Sequence, residues 1–329
     1  MITERIDKIT HIPSERLAPI LKAPRSVKIE LSGRCNFRCG FCALTVREEQ
    51  PKHDMDFDLF KRITREMRDS GVEEIGVFFI GESFLAPKLL VDAIKYLKQD
   101  VKMPYVFLTS NGSAAGPEVV DACMGAGLDS LKWSVNAVDE QQFVEIMQVS
   151  PKMFDRARHN IKMAWLNRSV RGYKTKLYAS SIRYDGEQHE RMEEMLNEHV
   201  RPFVDEHYWL PLYSMGSLTI PREEELGYAP AAGNIGRYDN PVAPLPCWSA
   251  FTEGHVLSDG RLSACCFDAT GHWIMGDLKT QPFMQAWNSQ EFQALRQRHL
   301  EKNVIGTACE HCIAYAGIKD KKPELVTVG

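Results

Sequence analysis

From Ser26 to about Tyr213, apolar positions alternate between two rhythms. Short β-rich runs at 27–31, 75–80, 105–109, 131–135, 177–182 and 207–212 predict six strands. Between them lie segments with helical spacing: 57–68, with Phe57, Phe60, Ile63 and Met67 on one stripe, then 89–97, 119–124 and 192–200. Strand and helix in regular alternation predict βαβ units on a parallel sheet. Right-handed crossovers around a curved sheet give an α/β fold, a partial (β/α)6 TIM-like barrel whose reactive residues stand at the C-terminal strand ends.

The rhythm breaks where Pro221, Gly227, Pro230, Gly233, Gly236, Pro241, Pro244 and Pro246 crowd together, predicting a linker. Beyond it, runs at 252–257 and 261–266 flank Ser258-Asp259-Gly260, a hairpin signal. A helix from Pro282 through Phe283, Ala286, Trp287 and Phe292 to about Leu300 is predicted to pack on that hairpin. The chain thus divides into an N-terminal extension (1–25), a barrel (26–215), a linker (216–246) and a small α+β domain (247–329).

A chain of 329 residues, 44% hydrophobic, can bury a large core beside a smaller appended one. A formal net charge of −4 carries no basic footprint, which disfavours a nucleic-acid partner. The first 25 residues, broken by Pro13, Pro19 and Pro24, lack a signal peptide's apolar stretch, and no run is apolar enough to span a bilayer. A cytoplasmic protein with no membrane partner is expected. Nine clustered cysteines do not read as a secreted disulfide framework; in a reducing compartment such thiols are metal ligands.

Cys35, Cys39 and Cys42 are spaced C-x3-C-x2-C directly after the first predicted strand. Three soft ligands suit zinc or iron–sulfur chemistry, but structural zinc needs a fourth ligand close by, whereas three thiolates on a cubane leave one iron open. This spacing, with Phe41 before the last cysteine, resembles the radical S-adenosylmethionine (SAM) superfamily. The resemblance implies a [4Fe–4S] cluster whose open iron chelates SAM, and cleavage of SAM to a 5′-deoxyadenosyl radical. It also implies further cofactor-binding residues. Ile80-Gly81-Glu82-Ser83 stands where the family has Gly-Gly-Glu-Pro, departing from it at two of four positions, and Gly81, Glu82 and Ser83 are the residues carried over. Asn111, in Thr109-Ser110-Asn111-Gly112, resembles a family strand ending, and Ser134, Asn136 and Ser180 occupy later strand ends that contact ribose or carboxylate; read alone, each is an ordinary turn. The arginine that pairs with the SAM carboxylate is missing near Ile146-Met147, leaving Arg156 and Arg183 as substitutes.

Cys247, Cys265, Cys309 and Cys312 form a second set, ending in a C-x2-C pair. By spacing alone it suits zinc or a second cluster. It resembles the twitch half of a SPASM domain, with Gly260 five residues before Cys265 and Gly276-Asp277-Leu278 close to the family's Gly-Asn-Leu, which implies one auxiliary [4Fe–4S] cluster. Cys266 is left over. It reads either as a thiol turned away along a strand or as a catalytic hydrogen donor facing the substrate. Cys123 reads as core.

A fully ligated auxiliary cluster accepts electrons without binding substrate. The resemblance therefore implies dehydrogenation or epimerisation of a small polar, sugar-like metabolite, as in radical enzymes acting on aminocyclitols and aminoglycosides, with an electron donor such as flavodoxin or ferredoxin. Modification of a ribosomally made peptide is the alternative; the segment before Ser26 is shorter than the ~80-residue peptide-recognition domain of such relatives. A zinc-bound structural adaptor is the alternative of another class. Tyr184, Asp185, His207, Trp209, Tyr213 and Met215, near late strand ends, are candidates to line the substrate pocket.

Overall fold

The six runs are six parallel strands, laid side by side in chain order. The computed structural model describes residues 1–47, 49–213, 215, 231, 233–268, 271–310 and 312; most of the expected linker and the tail beyond Cys312 lie outside them. A first helix, α1 (Ile2–Thr10), leads to β1 (Ser26–Ile29), α2 (Phe57–Asp69), β2 (Glu74–Gly76), α3 (Pro87–Gln99), β3 (Tyr105–Ser110) and α4 (Pro117–Gly125). Then come β4 (Ser130–Ser134), α5 (Glu140–Met147), α6 (Lys152–Arg171), β5 (Lys176–Ile182), α7 (Gly186–His199) and β6 (Glu206–Leu210). Asp56 caps α2 by accepting the Leu59 N–H at 2.7 Å, and the expected stripe buries Phe60, Ile63 and Met67 against the sheet. Cys123 is fully buried in α4.

In this half of the chain three helices escaped the sequence reading, α1, α5 and α6. Ile2, Ile6 and Ile9 of α1 do share one face, and the helix covers the N-terminal mouth of the barrel. Glu206 accepts from Ile2 N (2.8 Å) and Thr3 Oγ1 (2.5 Å), while Arg5 pairs with Glu74 (2.6 Å) and lies 3.9 Å over the Tyr105 ring. Those partners are the first residues of β6, β2 and β3. Asp139 caps α5 by accepting the Gln142 N–H at 2.8 Å. Helix α6 buries only Phe154, Asn160, Ile161 and Ala164 along twenty residues, so its apolar periodicity is faint.

Beyond the barrel come β7 (Gly236–Arg237), β8 (Asn240–Pro241), the single turn α8 (Ser249–Thr252), β9 (Glu253–Val256), β10 (Arg261–Ser263), β11 (Ile274–Asp277), α9 (Phe283–Trp287) and α10 (Gln290–Leu300). Residues 233–246, expected to link, fold into the molecule: β7 pairs with β8, and Arg237 grips Asp7 of α1 at 2.9 and 3.0 Å. The Asp-Gly hairpin forms as predicted, with Leu262 opposite Val256 and Gly260 at φ +88°, a left-handed conformation that suits glycine. Its first strand, however, joins the barrel: β9 lies parallel to β1, with Ser26 opposite Glu253 and Lys28 opposite His255. Pairing covers the edge that β1 would otherwise expose. The predicted single C-terminal helix breaks at Asn288-Ser289. Ser289 caps α10 (Phe292 N to Oγ, 3.2 Å), and the Asn288 amide holds both backbone groups of Leu21 at 2.8 and 2.9 Å. No helix among the described residues is long and apolar enough to cross a membrane.

Candidate active site

Cys35, Cys39 and Cys42 ride on the loop that leaves the C-terminal end of β1. The loop leans on α5, where Arg38 N and Gly40 N donate to the carbonyls of Met147 (3.0 Å) and Ile146 (2.8 Å). Phe37 meets Phe143 edge-on at 5.3 Å, and Cys39 Sγ lies 3.1 Å from Met147 Sδ. Burial pushes the Cys35 thiol up to about 12 and raises Cys39 and Cys42. Each of Cys35 and Cys39 is raised further by neighbouring thiols of the trio, so the three are close enough to repel as thiolates. Buried thiols gathered in this way are stable as thiolates only beside a cation, which fits an iron–sulfur cluster.

The end of β2 closes against this loop. A Cβ on Gly81 would lie 2.0 Å from the Ser32 carbonyl oxygen, so only glycine fits. Gly81 N donates to Glu30 Oε1 (3.2 Å) and Glu82 N to the Arg34 carbonyl (2.8 Å). Glu30, which the sequence reading missed, also takes Ser258 N at 3.2 Å and so ties loop, β2 and hairpin together. The Glu82 carboxylate accepts from Asn111 N (2.8 Å), Phe84 N (3.1 Å) and Ser110 Oγ (3.1 Å). Burial raises its pKa against the opposing effect of these bonds. Asn111 Nδ2 reaches Asn36 Oδ1 at 2.9 Å and Cys35 Sγ at 3.9 Å. Asn136 Oδ1 accepts Ile182 N at 2.9 Å, joining the ends of β4 and β5.

These groups face one cavity of about 460 Å³, lined by Cys35, Cys39, Cys42, Phe41, Gly81, Glu82, Asn111, Ser134, Asn136 and Ser180. Ser83, an expected cofactor contact, does not line it; its buried hydroxyl donates to the Val77 carbonyl at 2.7 Å. Neither Arg156 nor Arg183 lines it, and Arg183 lies 4.4 Å over the Tyr238 ring; Arg158, on the undetected α6, does line it. Of the residues expected to line the pocket, Tyr213 and Met215 do so. His207 and Trp209 do not: on β6 the inward positions are Tyr208 and Leu210, and His207 turns its ring to Ser181 Oγ (3.0 Å).

The second set, Cys247, Cys265, Cys309 and Cys312, gathers around Phe267 and Val304. None of the four lines the cavity; Cys266 does, with Asn234 Nδ2 at 2.9 Å from its sulfur. The Cys265–Cys266 hydrogen bond pushes Cys265 up and holds Cys266 down. Burial raises Cys247 far above its usual range and Cys309 to about 12, and neighbouring thiols of the set add to both. His299, fully buried, accepts Cys247 N at Nδ1 (3.2 Å), which makes Nε2 the donor to Cys309 Sγ (3.3 Å). Among the described residues no three His, Cys, Asp or Glu side chains are gathered as a site for a metal ion. What fits a cluster in each set is the donor type, the burial and the mutual repulsion of the thiolates.

Residues 29–198, just over half of the chain, match the family model described as Radical SAM superfamily. The chain belongs to that superfamily. Residues 247–313 match SPASM, an iron–sulfur cluster-binding domain. The radical SAM partial barrel therefore carries SAM and a [4Fe–4S] cluster, with auxiliary iron–sulfur chemistry in the SPASM region. The reading of both cysteine sets as structural zinc in an adaptor gives way to these matches. Among curated relatives, an S-adenosylmethionine-dependent nucleotide dehydratase from Oncorhynchus mykiss is 31% identical over 119 residues, 36% of this chain and 33% of its own length. The chain thus spans about a third of that relative. Among solved structures, BtrN in complex with AdoMet and 2-DOIA aligns with TM-score 0.56 and 15% identity over 88% of this chain and 91% of its own. Streptococcus suis SuiB bound to S-adenosylmethionine aligns with TM-score 0.61 and 17% identity over 84% and 68%. At such identities the two structures show a shared fold.

Proposed function

We propose that this radical SAM enzyme takes a hydrogen atom from a small polar, sugar-like metabolite, leading to dehydrogenation or epimerisation. One observation carries the reading: the first cysteine set and Cys266 line a single chamber whose mainly apolar wall carries the polar groups of Lys28, Lys132, Tyr208 and Glu253. When bound, SAM and the cluster on Cys35, Cys39 and Cys42 supply the hydrogen-abstracting radical.

The chain's own residues then do the positioning. Gly81 lets the cysteine loop close on β2, and Glu82 holds the backbone of Asn111 beside it. Ser134, Asn136 and Ser180 offer polar contacts to the cofactor's sugar, and Arg158 a cation for its carboxylate. Phe41, Phe143 and Phe154 wall the chamber with apolar surface that keeps water from a reactive intermediate. Cys266, in its protonated form, is placed to return hydrogen to a substrate radical: its S–H bond breaks as the new C–H bond forms. The thiyl left behind is restored by an electron from a donor such as flavodoxin or ferredoxin and a proton from solvent.

A chamber of about 460 Å³ lies low in the range of ligand pockets, room for a small metabolite or one side chain of a peptide. Peptide modification is the second reading, supported by the likeness to SuiB, which has been solved bound to its precursor peptide SuiA. The experiment is anaerobic: reconstituted protein, SAM and dithionite are mixed with a panel of sugars, aminocyclitols and peptides in deuterated water. A product lighter by two hydrogens marks dehydrogenation, and one carrying a single solvent deuterium marks epimerisation through an exchangeable thiol. Iron-loaded protein that forms no 5′-deoxyadenosine from SAM would refute the proposal.

A further inference from the structure

The chamber's inner wall carries two lysines and one carboxylate. Lys28 on β1 is matched: its Nζ lies 2.8 Å from Glu253 Oε2, which also takes His255 Nε2 at 3.0 Å. Lys132 on β4 is not matched in this way. Its Nζ donates to the Tyr208 hydroxyl at 3.3 Å and stands 5.7 Å from that ring's centre, and no acidic group among the described residues pairs with it. An ammonium removed from bulk water with a single neutral acceptor is unfavourable unless a counter-charge arrives. Burial first, and the Lys28 cation second, hold Lys132 down to about 7, a cost that a nearby anion would reverse.

Depth separates this group from the cofactor's side of the chamber. Lys132 lies two residues inward of Ser134 on the same face of β4, with Asn136 beyond the strand's end, whereas Arg158 comes from α6. We propose that Lys132, with Tyr208 Oη beside it, forms a subsite for an anionic oxygen group of the substrate, a carboxylate or a phosphate. The inference rests on the reading of this chamber as the substrate site and narrows the substrate to an acidic metabolite. Binding adds charge-assisted hydrogen bonds from Lys132 and the phenol and offsets the repulsion between the two lysines.

The test uses the holoenzyme, reconstituted anaerobically and saturated with SAM, in low-chloride buffer at neutral pH. Inorganic phosphate is titrated by phosphorus NMR and trifluoroacetate by fluorine NMR. At least one probe is expected to bind at a single site per chain. Binding should be about tenfold or more weaker in Lys132→Met, retained in Lys132→Arg and unchanged in Lys174→Met, an exposed control. Phosphate binding alone assigns a phosphoryl group, and trifluoroacetate binding alone a carboxylate. Where Lys132→Met loses its iron, Lys132→Gln takes its place. Binding of neither probe, or undiminished binding in the uncharged variant, overturns the subsite. SAM cleavage by the wild-type holoenzyme is measured in parallel: its failure removes the radical reading, whereas cleavage without anion binding removes the subsite alone.

Discussion

Replacing Gly81 by alanine tests how the cysteine loop is held. The new Cβ would sit 2.0 Å from the Ser32 carbonyl oxygen, 2.8 Å from the Gly33 carbonyl carbon and 2.9 Å from the Arg34 oxygen. Real Cβ contacts stay beyond 3.0 Å, so loop and strand end must part by at least about 1 Å. All three obstacles are backbone, and no side chain can swing aside. The same displacement strains the Glu82 N–H bond to Arg34 O, now 2.8 Å, and the Gly81 N–H bond to Glu30, now 3.2 Å. Overpacking of this kind costs about 1–3 kcal/mol, and a shift of about 1 Å in a reacting assembly costs on the order of 100-fold in rate. Iron per chain, thermal unfolding and the initial rate of 5′-deoxyadenosine formation are measured together, with Gly116→Ala as control because its Cβ meets nothing within 4 Å. A Gly81→Ala protein matching the control in iron content and rate would show that the close approach does not govern the cluster loop.

Three further outcomes follow from the packing and charge. Trp287, fully buried with its indole N–H on the Lys22 carbonyl (3.0 Å) and Arg296 stacked 4.2 Å from its ring, should cost about 3–5 kcal/mol on replacement by alanine, read by denaturant unfolding. Burial alone would raise Glu253, but Lys28 and His255 outweigh it and hold the group down to about 2. A folded pKa below the unfolded one means that its stabilisation is complete above about pH 4.5 and is lost as pH falls towards 2, so Glu253→Gln should flatten the stability curve across that acid window. His299→Ala removes the N–H donor to Cys309 and should lower the midpoint potential of the auxiliary centre while Cys35→Ala/Cys39→Ala/Cys42→Ala leaves it unchanged; anaerobic EPR potentiometry reads both.

What could be read along the chain was what local spacing encodes. Strand positions, the capped stripe of α2, the Asp259-Gly260 turn and the two cysteine sets each depend on residues a few positions apart. Where the local signal was weak, the elements were missed: α6 buries too few apolar residues to show a period, and Arg158 was missed with it. Parity errors were of a different kind. His207 and Trp209 were expected inside because they sit on a strand, but the pleat puts Tyr208 and Leu210 inward.

The sequence alone carried the chemistry of the first site, because three thiols seven residues apart end to end meet on one loop whatever the rest of the fold does. Tertiary structure decided what surrounds them. The parallel pairing of β9 with β1 sets Glu253 beside Lys28 and brings Cys266 to the chamber, across more than two hundred residues of chain. The left-over charge on Lys132 exists only once β1, β4, β6 and β9 are in register. Such pairings arise from sheet closure and strand parity, long-range constraints that leave no mark in any short window of residues.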